Sequence, residues 1–86
     1  MAQLQYKINA WTRKIWLSDT LYYHAEIKQD LFGSWILERH WCGRWQKSGR
    51  VVIDLLDSFD DGLLKLQEIH QKRIAHGYQL IEEEHE

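Results

Sequence analysis

The segment from Arg39 to Arg50 carries Arg39, Arg44, Lys47 and Arg50 without an acid among them, and Trp41 and Trp45 lie between these cations. Cations so spaced can follow a phosphate backbone while the indoles stack on sugars or bases, which is the chemistry of nucleic-acid binding. The same pattern also suits a solvated strand and turn whose tryptophans belong to the core. A second group offers different chemistry. His40 and Cys42 stand two apart, and His24 faces them if its strand pairs with theirs, which gives three candidate zinc ligands in a spacing that matches no known zinc pattern. Cys42 beside Arg44, with His40 near, has the makings of an activated thiol, yet no motif places an orienting third group or an oxyanion site. The residues therefore read as a binding module and not an enzyme, with no cofactor and no metal.

The elements that must position these residues follow from periodicity. Trp11 to Leu17 is a first candidate strand, rich in aromatic and β-branched residues. Leu21 to Gln29 alternates, with Tyr23, Ala25 and Ile27 on one face and Tyr22, His24, Glu26 and Lys28 on the other. A turn at Asp30-Leu31-Phe32-Gly33 leads into Ser34 to Trp41, where Trp35, Leu37, Arg39 and Trp41 alternate with Ile36, Glu38 and His40, so the two strands should form a hairpin. Gly43 and Gly49 bracket a loop before a further strand, Val51 to Leu56. From Ser58 the period becomes helical, with Phe59, Leu63, Leu66, Ile69 and Ile74 as the stripe that meets the sheet. Asp57 or Ser58 can cap this helix, Asp60 and Asp61 suit its first turn, and Lys72, Arg73 and His76 suit its last. Gly77 fits the left-handed position after it, Tyr78 to Ile81 adds a short extended piece, and Glu82 to Glu86 reads as a disordered acidic tail. The fold class is α+β: an antiparallel sheet of about four strands with one C-terminal helix on one face. Trp35 and Tyr23 are assigned to the core, Trp11 and Trp16 to the sheet edge or its second face, and Arg39 has Glu26 or Glu38 as an alternative partner to a phosphate.

Length and composition bound the rest. At 86 residues, 44% hydrophobic and 28% charged, the chain predicts one domain over residues 1–81 followed by the acidic 82–86. No run of apolar residues is long enough for a membrane span, and Met1 to Gln5 has neither a basic leader nor an apolar segment. One cysteine, Cys42, cannot form an internal disulfide, which agrees with a reducing, cytoplasmic setting. The net charge of −2 conceals a division, because four of the 13 acids fall in the last five residues. Ahead of Glu82 the cations outnumber the acids.

The stretch DLFGSWILERHWCGRWQKSGR, Asp30 to Arg50, together with the helix ending QKRIAHGY, Gln71 to Tyr78, resembles the WGR domain family, in a form similar to its small stand-alone bacterial members. The matching pieces are Tyr22-Tyr23, Leu31-Phe32-Gly33, Trp35, Arg39, Gly43-Arg44, Gly49, Arg73 and Gly77-Tyr78, and the resemblance covers roughly residues 21–80. The motif itself departs from Trp-Gly-Arg, since the chain has Trp41-Cys42-Gly43-Arg44. Either Cys42 is an insertion, which the Arg39-x-Trp41 spacing favours and which would form a β-bulge, or Cys42 replaces the tryptophan. Trp45 and Gln46 also stand where the family tends to have a small aliphatic residue and glycine.

The resemblance implies binding to DNA ends, breaks or single strands. In the WGR domain of poly(ADP-ribose) polymerases the tryptophan packs on a terminal sugar and the arginine sits where DNA meets neighbouring protein. By position, Trp41 is the stacking group and Arg44 the phosphate or interface cation, with Gly43 between them. Trp45, Lys47, Arg50 and Arg39 join the site on charge and stacking capacity alone. The expected partner is DNA or another nucleic acid, bound by a monomer or weak dimer away from any membrane. A protein-interaction module using the same surface is the alternative.

Overall fold

The computed structural model describes residues 11–46 and 48–85, so Lys47 lies outside the described residues. Five strands and one helix follow one another as β1 (Thr12–Leu17), β2 (Leu21–Gln29), β3 (Trp35–Gly43), β4 (Arg50–Leu55), α1 (Phe59–Ala75) and β5 (Gln79–His85). The sheet is antiparallel throughout, in the order β4-β3-β2-β1-β5, and α1 covers one face of it. The fold is α+β as expected, with one strand more.

That extra strand is the acidic segment. Glu82, Glu83 and Glu84 stand in β5 opposite Ile15, Lys14 and Arg13 of β1. Glu84 pairs with Arg13, and Glu83 lies 3.6 Å from Lys14. Negative charge that would repel itself in an isolated tail is matched here by cations across the ladder. The addition of β5 also moves β1 off the sheet edge. Trp16 is therefore not an edge cover but the centre of the core, fully buried, and its indole N–H donates to His70 Nδ1 at 3.0 Å.

The hydrophobic face is built by alternation: Trp16 from β1, Tyr23, Ala25 and Ile27 from β2, and Leu37 from β3 are buried beneath Leu66 of the helix. The buried helical stripe is Gly62 and Leu66, with Phe59 and Ile69 packed beside them and Arg73 continuing the line. Leu63 and Ile74, expected in that stripe, are exposed instead. A Cβ on Gly62 would come within 2.8 Å of Leu56 Cδ1 and 3.0 Å of Ile27 Cδ1, so the missing side chain sets how closely α1 approaches the sheet.

Both helix ends are specified locally. Ser58 Oγ accepts from the Asp61 N–H at 3.0 Å, and Asp61 Oδ2 accepts from the Asp57 N–H at 3.3 Å. At the other end Gly77 takes φ +86, the Tyr78 N–H donates to the Arg73 carbonyl and the Gly77 N–H to the Ile74 carbonyl. This pair of bonds is a Schellman motif. Its consequence for the site is that Tyr78 is turned back against Arg73.

Candidate nucleic-acid interface

The β2–β3 hairpin has no register shift from Gln29↔Trp35 to Leu21↔Gly43. The β-bulge expected at Cys42 is absent. Cys42 occupies a regular position opposite Tyr22, and regular alternation sends it to the open face while Trp41 faces the helix side.

Trp41 lies opposite Tyr23, and the two rings stack with centroids 5.6 Å apart and planes 5° from parallel. The indole is half-buried, so part of it faces solvent. Tyr23 also receives the Arg73 guanidinium, 4.6 Å from its ring centre, and Tyr78 takes the same guanidinium at 5.0 Å. Arg73 Nε is buried without a hydrogen-bond partner. Thus Trp41, Tyr23, Arg73 and Tyr78 form one contiguous aromatic and cationic cluster at the C-terminal end of α1. Lys72, Arg73 and His76 also lie beside the negative end of the helix dipole, and His76 Nδ1 sits 2.8 Å from the Lys72 carbonyl.

Arg44 and Trp45 occupy the tip of the turn that follows β3, closed by the Gln46 N–H to Gly43 carbonyl bond at 3.1 Å. A side chain at Gly43 would press on the Gln46 side chain. The Arg44 amide donates to the Thr20 carbonyl and its guanidinium to the Ser18 carbonyl, which ties the turn to the β1–β2 connection. The guanidinium lies 5.2 Å from the Trp45 ring centre, and Trp45 is 80% exposed. Arg50 stands opposite Trp41 at the start of β4 and is exposed. Gly49 admits this arrangement, since a Cβ there would lie 2.4 Å from the Trp41 carbonyl oxygen and 2.5 Å from Cys42 Cβ.

The ion pairs sort the cations. Arg13, Lys14, Lys28, Arg39 and Lys65 each have a carboxylate partner, namely Glu84, Glu83, Glu38, Asp54 and Asp61. Arg39 meets Asp54 at 3.0 Å and not Glu26 or Glu38, because it faces the helix side while those two acids lie on the open face. Its guanidinium is also 5.8 Å from the Trp41 ring centre. Arg44, Arg50, Lys72 and Arg73 have no carboxylate partner among the described residues, and all four stand at the end of the domain made by the close of β3, the start of β4 and the close of α1. Asp19 is the acid near Arg44 there. Two open depressions, of about 320 and 380 Å³, flank the Gly77-Tyr78 turn; Arg44 lines the first, Arg73 and His76 the second.

The structure therefore brings together Trp41, Arg50, Arg44 and Trp45, diverts Arg39 to Asp54, and adds Lys72 and Arg73. Sequence reasoning placed those last two at the helix dipole, and Arg73 also among the residues that carry the resemblance, but put neither in the site. The signal for Arg73 was a cation seven residues beyond Leu66, in line with a buried apolar stripe.

On the open face, His24 stands opposite His40, and Cys42 follows at the next position on that face. Among the described residues no three His, Cys, Asp or Glu side chains are grouped to hold a metal ion. Burial pushes the His24 pKa below the usual histidine value, against the pull of Glu26 whose carboxylate lies 3.5 Å away. Burial raises the Tyr22 hydroxyl, with Cys42 adding to the effect, and the Tyr22 ring meets His40 edge-on at 5.9 Å. The largest of the depressions described, about 520 Å³, lies between α1 and the β1–β5 pair and holds none of the predicted site residues.

Among the described residues no helix is long and apolar enough to cross a membrane. No protein-family model, curated protein or solved structure matches the chain.

Proposed function

We propose that this chain is a nucleic-acid-binding module of the WGR type, which engages DNA ends, breaks or single strands through the end of the domain that carries Trp41, Arg44, Trp45, Arg50, Lys72 and Arg73. The observation that supports this most is the sorting of charge: the four described cations without carboxylate partners share one end with a half-buried indole and an exposed one. A cation without a carboxylate partner is free to neutralise a phosphate and so release the counterions condensed on a polyanion, which drives association, and an indole offers a flat face to a base or sugar. On this reading Trp41 stacks, Arg44 and Arg73 hold phosphates, and Trp45 adds a second platform. No bond is made or broken, and the setting is cytoplasmic.

The test is fluorescence anisotropy of three probes: an open duplex with 5′-phosphates, a closed dumbbell of equal sequence, and a single strand. Binding to open ends or single strands that falls in Trp41→Ala and in Arg44→Ala, with unchanged circular dichroism, is the expected result. Equal affinity of wild type and both variants would remove this surface from the interaction. Failure of every probe at low salt would leave the protein-interaction reading, with an acidic partner on the same face.

A further inference from the structure

Among the described residues nothing pairs with the outer edge of β4. The Leu56 N–H donates to the Trp35 carbonyl at 3.0 Å, which fixes the phase of the β3–β4 ladder. In an antiparallel pair the inward-bonding residues alternate, so Arg50, Val52 and Asp54 direct their backbone groups toward β3. Val51, Ile53 and Leu55 direct theirs outward. The same three side chains lie on the open face and are exposed, Val51 at 54%, Ile53 at 58% and Leu55 at 76%. This edge has no proline, no bulge and no charge on its open face, the devices that keep sheet edges from pairing. The opposite edge, β5, carries three consecutive glutamates and is guarded by them.

The β4 sequence is complementary to itself in one antiparallel register. Centred on Val52 facing Val52 of a second copy, the pairing sets each Arg50 opposite Asp54 and each Val51 opposite Ile53 of the other chain. The Val51 and Ile53 positions then fall on hydrogen-bonded pairs, as their outward backbone groups require. Arg50 meets Asp54 of the other chain on the helix side, where that carboxylate also holds Arg39 of its own chain at 3.0 Å, and the apolar pairs meet on the open face. Moving the centre to Ile53 would set Asp54 against Val52 and lose both charge pairs.

We propose that β4 is a homodimerisation edge, pairing antiparallel about Val52 with β4 of a second copy of this chain to join two five-stranded sheets into one. This inference does not rest on nucleic-acid binding. Arg50 is engaged by the partner's Asp54 in the dimer, while Arg44, Lys72 and Arg73 stay free for a polyanion.

Sedimentation velocity on the full chain tests it, with circular dichroism confirming the fold of each variant. The wild type is expected at twice the 10.4 kDa chain mass. Ile53→Lys loses the doubling, Arg44→Ala keeps it. Arg50→Asp and Asp54→Arg are each expected at the chain mass, because each sets like charges face to face. An equimolar mixture of those two variants returns to the doubled mass, since both facing pairs become Asp with Arg again. A wild type at the chain mass at the highest soluble concentration overturns the proposal. So does a dimer that survives Ile53→Lys, or a mixture that stays monomeric. A monomer whose Val51, Ile53 and Leu55 amides exchange slowly would likewise overturn it, and would give the edge to residues 1–10 instead.

Discussion

If the four cations without carboxylate partners carry polyanion binding, its salt dependence has a set size. Each phosphate neutralised on a duplex contributes about −0.9 to the slope of log affinity against log salt. On a single chain, before any pairing of β4 engages Arg50, the cations Arg44, Arg50, Lys72 and Arg73 together give a slope of about −3.6, and a fall of about 150-fold between roughly 50 and 200 mM salt. On a single strand the factor is about −0.7 per phosphate and the slope about −2.8. Were all 11 cations of the chain in play the slope would approach −10, so the measurement separates a local end from a diffuse coat of charge. Lys47, in the same loop, would add one unit at most. Anisotropy titrations of a labelled duplex at five or six salt concentrations read the slope directly. Arg73→Ala should lower it to about −2.7, with the fall over the same interval reduced to about 40-fold. Arg39→Ala should leave the slope unchanged, because Asp54 already neutralises that residue. An unchanged slope in Arg73→Ala, or a loss in Arg39→Ala equal to it, would refute the sorting of cations by their partners.

Three further outcomes follow from the same structure. Gly49→Ala places a methyl group against the Trp41 carbonyl and Cys42, neither of which can turn aside, so stability should fall by about 1–3 kcal/mol in thermal unfolding. Ser58→Ala removes the acceptor for the Asp61 amide and should cost about 1 kcal/mol, or roughly 4–8 °C in Tm. His24 has a folded pKa below its unfolded value, so the stability it contributes is full above the unfolded pKa of about 6.5 and is lost as pH falls through the folded one. The Tm difference between neutral and mildly acidic buffer should therefore shrink in His24→Gln.

Much of the fold is legible where the signal is local. The alternation of Leu21 to Gln29 marks β2 to the residue, Ser58 announces the helix, and Gly77 announces its end. What escapes depends on distant partners. Glu82 to Glu84 form a strand because Arg13 and Lys14 lie across from them, some 70 positions earlier, and three adjacent acids carry no strand signal of their own. Trp16 is central because that strand exists. Of the site, Trp41, Arg44, Trp45 and Arg50 stand out in sequence as a cluster of cations and indoles. Arg39 belongs to the same cluster in sequence and leaves it in space, because the register of β3 against β4 brings Asp54 to it. Arg73 joins through the turn at Gly77-Tyr78, a contact that no linear spacing from Trp41 could reveal.

The two ends of α1 carry this charge sorting to the scale of the whole molecule. Asp57, Asp60 and Asp61 gather where the helix begins, beside the close of β4, while Lys72 and Arg73 gather where it finishes, beside the close of β3. Along α1 the described charge thus runs from acidic to basic in a chain whose net charge is −2. Near a polyanion such a body feels a torque as well as a weak net repulsion, and it turns its cationic end forward before contact. That turning is strongest at low ionic strength, where the charges are least screened.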